Sequence, residues 1–128
     1  MKTIFVNGCF DILHRGHIEL FSYARSLGDF LWVAIDSDEN IRKAKGPDRP
    51  VTSEVDRAFI LKSIRHINDV VIFKDSIELR SFLKIIRPDI MVVGSDWKNK
   101  EIVGSELSKE VRYFDRIEPY SSTKIIES

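Results

Sequence analysis

Two histidines three residues apart, His14 and His17, carry the clearest chemical potential in this chain. They close the stretch Asn7-Gly8-Cys9-Phe10-Asp11-Ile12-Leu13-His14-Arg15-Gly16-His17. Imidazole N–H groups can hold phosphate oxygens whose charge grows in a transition state. Gly16, between the two, lets the backbone come close to a bulky ligand. The same pair can ligate a metal, although no third His or carboxylate stands nearby at ligand spacing. It can also do no more than cap a helix. No Ser or Cys has a base fixed beside it, so the residues do not suggest a nucleophile in the protein. What the chain offers instead is imidazoles, lysines, arginines and hydroxyls, a set suited to holding and neutralising phosphates.

The elements around the motif must bring these groups to one place. Thr3-Ile4-Phe5-Val6 is β-branched and aromatic and reads as a buried strand. Ile18, Leu20, Phe21, Ala24 and Leu27 recur near helical period and stop at Gly28. The motif therefore joins the carboxyl end of a first strand to the amino end of a first helix. Ligands bind at that edge in open α/β sheets, and a helix amino end favours phosphate. Asp29–Ala34 reads as a second buried strand, with Asp36 and Asp38 in turn or cap positions behind it. Asn40 to Val51 holds four cations, a glycine and two prolines, and reads as a mobile basic loop. A helix capped by Thr52 or Ser53 follows, with Arg57 departing early from its apolar face; a surface ion pair is one role open to it. Asp69–Phe73 and Asp89–Val93 read as third and fourth strands, with an amphipathic helix over Ser76–Ile86 between them. Gly94, Asp96 and Trp97 follow the fourth strand. Trp97 has two roles open to it, stacking on a base or anchoring its own loop. A short helix is expected around Ile102–Leu107 and a short fifth strand over Val111–Phe114. Near the end, Ser121, Ser122 and Thr123 stand where a final helix would start, as plain caps or as a second phosphate cradle.

Composition sets outer limits. A chain of 128 residues suffices for one domain with a proper core. Formal net charge is zero, so no bulk field argues for nucleic acid or a membrane surface as partner. Cys9 is the only cysteine, which fits a reducing cytoplasm and a small packed residue rather than a disulfide. No apolar run is long enough to span a bilayer, and no signal peptide is read.

Gly8-Cys9-Phe10-Asp11 followed by His14-Arg15-Gly16-His17 resembles the His-x-Gly-His signature of the nucleotidylyltransferase superfamily, and within it the cytidylyltransferase-like branch. The likeness runs over nearly the whole chain. It implies that Gly8, Cys9, Phe10, Asp11 and Gly16 contact the nucleotide around the histidines. Lys45-Gly46 with Arg49-Pro50-Val51 looks like the lysine-bearing loop of heptose-phosphate adenylyltransferases, which makes Lys45 a phosphate ligand, with Lys43 second. The resemblance also turns Arg57 toward the nucleotide, and Gly94, Asp96 and Trp97 match a Gly-x-Asp-aromatic pattern. Arg116-x-Glu118-x-x-Ser121-Ser122-Thr123 is similar to the family's Arg-Thr-Glu-Gly-Ile-Ser-Thr-Thr motif, with Pro119, Tyr120 and Ser122 departing from it. That likeness implies a triphosphate grip from the side opposite the histidines.

Near-continuous apolar strands alternating with helices predict a single α/β domain over residues 1–128, a Rossmann-like doubly wound sheet of five parallel strands. The expected order is 3-2-1-4-5, with the switch point between strands 1 and 4. The implied reaction is attack of an acceptor phosphate on the α-phosphorus of a nucleoside triphosphate, with pyrophosphate leaving. His14, His17, Lys45 and Arg116 are the expected catalytic groups. Mg²⁺ is expected to come with the triphosphate, with no metal site built by the protein. Gly46–Val51 and Glu101–Glu106 resemble the adenylyltransferases, implying ATP and a sugar 1-phosphate. Arg116-x-Glu118 and Asp96-Trp97 also resemble glycerol-phosphate cytidylyltransferases, implying CTP and a polyol phosphate. A nucleotide-binding module without catalysis is the alternative of another class. The family further implies a homodimer. A dinucleotide oxidoreductase would need Gly-x-Gly-x-x-Gly after the first strand, which residues 8–16 lack.

Overall fold

A computed structural model of the chain describes residues 1–95 and 100–115. Five strands form one parallel sheet: β1 (Thr3–Gly8), β2 (Phe30–Asp36), β3 (Asp69–Phe73), β4 (Ile90–Gly94) and β5 (Glu110–Phe114). Their order is β3-β2-β1-β4-β5, and all four pairings are parallel, as expected. Four α-helices connect them: α1 (Arg15–Ser26), α2 (Asp38–Lys45), α3 (Glu54–Lys62) and α4 (Ser76–Ile86).

Strand alternation decides which layer each side chain serves. Ile4 and Val6 of β1, Leu31, Val33 and Ile35 of β2, and Ile90 and Val92 of β4 point to one face. There they meet Phe21 and Ala24 of α1 and Leu61 of α3. Phe5, Ala34, Met91 and Val93 point to the other face, against Leu79 and Leu83 of α4. Both faces are covered, which is why the strands lack polar alternation. Each fully buried Leu, Ile, Val or Phe contributes roughly 1.5–3 kcal/mol against exposure.

The sheet opens where the site lies. β1 pairs with β2 over its full length, from Thr3 with Phe30 to Gly8 with Ile35. Between β1 and β4 the paired partners are Ile4 with Ile90 and Phe5 with Met91. Beyond them the two strands run on to Gly8 and Gly94. Successive connections leave β1 toward β2 and β4 toward β5, so this divergence sits at the switch point.

Two local expectations change. The segment read as a basic loop is helical over its first half, α2, capped by Ser37 Oγ accepting from Asn40 N at 3.2 Å. Acidic Asp38 and Glu39 fill its first turn and Arg42, Lys43 and Lys45 its last, both favourable to the helix dipole. Only Ile41 of this helix is buried, so hydrophobic periodicity gave no sign of it. The short helix expected around Ile102–Leu107 is a 3-10 turn over Ser105–Leu107, entered at Gly104 with φ 77°. Among the described residues no helix is long and apolar enough to cross a membrane.

Candidate active site

The histidine pair is built into the start of α1. His14 is its N-cap, with extended backbone, and Gly16 N donates to His14 Nδ1 at 3.0 Å. His14 N donates in turn to His17 Nδ1 at 3.2 Å. This is a capping box in which two imidazoles replace the usual hydroxyl and carboxylate. The three-residue spacing is thus the spacing of N-cap to N3. The rings stack with centroids 3.9 Å apart and planes 26° from parallel. A nitrogen that accepts from a backbone N–H carries no proton, so each neutral ring bears its proton on Nε2. Both Nε2–H groups are therefore donors on the edge away from the helix backbone.

The turn before the helix holds them in place. Phe10 sits at φ 49°, a left-handed conformation that a bulky side chain rarely adopts. Its ring packs edge-on against His17 and Phe21, at 5.4 and 5.0 Å between centroids. A Cβ on Gly8 would lie 3.0 Å from the Phe10 ring, so a bare residue there lets the ring fold under the histidines.

A cavity of about 740 Å³ runs along the carboxyl edge of the sheet. Asn7, Gly8, Cys9, Phe10, Asp11, His14, Gly16 and His17 line one stretch of it. Asp36, Asn40, Lys45 and Arg49 line the β2 side, and Val92, Val93, Gly94 and Phe114 the β4–β5 side. Its volume lies in the range of small-molecule and cofactor sites. Imidazoles at a helix amino end share this lining with Lys45 and Arg49, groups able to hold phosphate oxygens, and with the carboxylates of Asp11, Asp36, Asp75 and Glu101.

The sequence agrees with that chemistry: the family model for "Cytidylyltransferase-like" matches residues 5–128. The chain belongs to the cytidylyltransferase-like family. It is a family of nucleotidyltransferases, and the matched span contains every strand described above except the first residues of β1. Relatives include "Bifunctional protein HldE" of a Nitratiruptor species, 45% identical over 126 residues. The proteins of the same name from Helicobacter pylori and Campylobacter concisus are each 46% identical over 126 residues. Each alignment covers 98% of this chain but only 26–27% of the relative, so the chain spans about a quarter of their length. Among solved structures, a lipopolysaccharide core biosynthesis protein from Thermoplasma volcanium superposes with TM-score 0.70 at 24% identity. It covers 94% of this chain and 99% of its own. A protein of unknown function from Archaeoglobus fulgidus gives 0.65 at 18% identity, covering 97% and 96%. At such identities these two show the fold alone.

Several residues that the cytidylyltransferase-like signature singles out have a different immediate role from the one expected. Arg57 is 1% exposed and does not line the cavity. Its Nε donates to Thr52 O at 2.9 Å, its Nη1 to Cys9 O and Asp36 O at 2.8 and 2.9 Å, and its Nη2 to Asp38 Oδ1 at 2.8 Å. It faces the underside of the site, tying β1, β2, α2 and the start of α3 together, and leaves little donor capacity for a nucleotide. Asp38 is correspondingly an ion-pair partner in the first turn of α2, with Ser37 as the cap.

Asp11 lines the cavity but spends its carboxylate on the chain beyond α2. Oδ2 accepts from Val51 N at 2.9 Å and Arg49 Nε at 3.1 Å, and Oδ1 from Thr52 N at 2.8 Å. Burial opposes its ionisation, but the bonds from Thr52, Val51 and Arg49 outweigh it and hold the carboxyl below its ordinary 3.8. Cys9 is half-buried, and its Sγ–H donates to Asp36 Oδ2 at 3.7 Å. Burial first and the Asp36 carboxylate second push its thiol up from 9.0, against the pull of Lys45. A thiol kept protonated is a poor nucleophile, which agrees with the packing role read from its sequence.

The two lysines separate cleanly. Lys45 lines the cavity beside Cys9. Lys43 is exposed and pairs with Glu39 one turn back at 3.5 Å. Gly94 ends β4 and lines the cavity. Asp96, Trp97, Arg116, Ser121, Ser122 and Thr123 lie outside the described residues. Sequence reasoning passed over Arg49 as a cavity residue. Its signal was the clamp partner Asp11, thirty-eight positions earlier, a pairing that spacing does not reveal.

Proposed function

We propose that this chain transfers a nucleoside monophosphate from a nucleoside triphosphate, ATP in the first instance, to a sugar 1-phosphate. The observation that carries the reading is the histidine capping box. Its hydrogen bonds fix both Nδ1 atoms as acceptors and so hold both rings at a helix amino end, lining a cavity that Lys45 also lines. An oxygen of the acceptor phosphate attacks the α-phosphorus. The bond from that phosphorus to the α,β-bridging oxygen breaks, and pyrophosphate leaves with the electron pair. Preorganised donors at the crowded phosphorus need no reorganisation as charge builds. His14 and His17 supply them, and Lys45 neutralises the polyphosphate. In the same reading Arg116 adds a second cation, Gly94, Asp96 and Trp97 border the base, and Ser121, Ser122 and Thr123 hold the β- and γ-phosphates.

Mg²⁺ enters this proposal as a passenger of the triphosphate. It prefers six oxygens and keeps several waters. Among the described residues no group of three His, Cys, Asp or Glu side chains is placed to hold a metal. In this reading the triphosphate's own oxygens would ligate the ion, whose charge would offset theirs.

The choice of ATP and a sugar 1-phosphate rests on the sequence likeness over Gly46–Val51 and Glu101–Glu106. A matrix of nucleoside triphosphates against sugar and polyol phosphates, scored by pyrophosphate release with Mg²⁺, tests it. Release is expected with ATP and a sugar 1-phosphate. Release confined to CTP with glycerol 3-phosphate would replace both substrates. Tight nucleotide binding with no release from any pair would leave a binding module and end the transferase reading.

A further inference from the structure

Arg49 differs from the other cations of the cavity in being both pinned and incompletely used. Its side chain is 14% exposed, and its Nε donates to Asp11 Oδ2. Its Nη2 is buried and has no hydrogen-bond partner among the described residues. A guanidinium carries five N–H donors in a rigid fork. A buried donor without an acceptor is unfavourable until something supplies one. Asp11 cannot swing toward the cavity to do so, because Val51 N and Thr52 N hold its two oxygens. A ligand entering the cavity can supply the missing acceptor.

Position decides which ligand. The sheet order places β2 on one side of β1, and β4 and β5 on the other. Arg49 follows α2 and shares the β2 side of the cavity with Asp36, Asn40 and Lys45. Of the described groups read as nucleotide-binding, Gly94 ends β4 on the other side of β1, and Lys45, read as meeting the triphosphate, stands on Arg49's own side, where an acceptor phosphate must approach it. We propose that Arg49, held by Asp11, binds the phosphate of the acceptor. Arg49 is then a substrate-binding residue and Asp11 a positioning residue acting through it. A planar guanidinium matches two phosphate oxygens at once. It leaves the third free to attack and lowers the repulsion between two phosphates that must approach. What the acceptor does once bound rests on the transferase reading; its binding does not.

Two kinds of measurement on the full chain separate these claims. In steady-state kinetics, Arg49→Ala is expected to raise the acceptor KM roughly ten- to a hundredfold, the loss of charge-assisted hydrogen bonds. The nucleotide KM stays as it was, and Arg49→Lys falls between because an ammonium lacks the fork. Asp11→Asn raises the acceptor KM too, and the double variant is no worse than Arg49→Ala alone, as coupled residues require. A rise in nucleotide KM with an unchanged acceptor KM overturns the proposal, and so does an unchanged pair of KM values. Calorimetry with glucose 1-phosphate and mannose 1-phosphate gives the second arm. If the unaltered protein turns over no substrate pair yet binds a hexose 1-phosphate, and Arg49→Ala abolishes that binding, the transferase reading falls and the assignment of Arg49 stands. Equal binding by both proteins, or none by the unaltered one, overturns the assignment.

Discussion

Replacing His17 separates a fold contribution from a chemical one, because the same ring provides both. Its Nδ1 accepts from His14 N, and its Nε2–H is the donor assigned to the transferring phosphoryl group. His17→Ala removes both functions. Loss of a capping interaction costs about 1 kcal/mol, which for a chain of 128 residues lowers Tm by roughly 3–5 °C. Loss of one preorganised donor costs about a hundred- to a thousandfold in kcat, or roughly 2.7–4 kcal/mol of barrier. His17→Gln is the discriminating control. Glutamine at N3 is a usual capping-box partner and can accept from His14 N, but its amide cannot place a donor where Nε2 stands. It is expected to keep Tm within about 1 °C of the unaltered protein, the size of a cap bond retained, while losing as much kcat as His17→Ala. Thermal unfolding and pyrophosphate release under saturating substrates read the two effects independently. Equal Tm losses in both variants would remove the capping argument. A kcat within about threefold of the unaltered value in His17→Ala, less than 1 kcal/mol of barrier, would remove the donor argument.

Two further expectations concern stability. Asp11 holds its carboxyl below 3.8 in the folded chain, so folding favours the ionised form. Its contribution is therefore present above the unfolded pKa and is lost as pH falls through the lower, folded value. Asp11→Asn should unfold more easily than the unaltered protein at pH 7 in urea, and the two curves should converge as pH falls through the lowered, folded value of the Asp11 carboxyl. A difference that persists undiminished into acid would contradict the linkage. At Gly104, φ is 77° and a Cβ would lie 2.4 Å from Leu83 Cδ1. Gly104→Ala is expected to lose about 1–3 kcal/mol from the left-handed backbone and the clash together; an unchanged urea midpoint would show that the turn relaxes freely.

How much of this was legible in the sequence differs by residue, and the reasons are physical. The sheet order followed from apolar strands and helical connectors, because burial on both faces leaves a strong signature at Ile4–Val6, Leu31–Ile35 and Ile90–Val93. The histidine pair was legible as a cluster with capping among its open roles, although the reciprocal Nδ1 bonding is visible only in the folded chain. The helix α2 was missed despite Ser37, Asp38 and Glu39 at its start, since end signals without an apolar stripe were outweighed by nearby Gly46, Pro47 and Pro50. Arg57 pairs with Asp38, but beneath the site floor rather than at the surface. An arginine at an early helix position reads as a surface or ligand residue, and nothing local announces two strand-end carbonyls and a carboxylate waiting beneath it. Arg49 was hidden for a related reason: its partner Asp11 is near only in the folded chain. Local periodicity reports elements well; it does not report which long side chain a distant turn will capture.

Arg57 also bears on how the cavity treats an anion. The carbonyl oxygens of Cys9 and Asp36 stand at the carboxyl ends of β1 and β2, where a polyphosphate would otherwise meet bare negative dipoles. Both are already occupied by one guanidinium, buried deeply enough that added salt screens it little. The quieting of those two oxygens thus belongs to the fold and is little touched by ionic strength, so that salt sensitivity in anion capture originates in the cavity's own side chains.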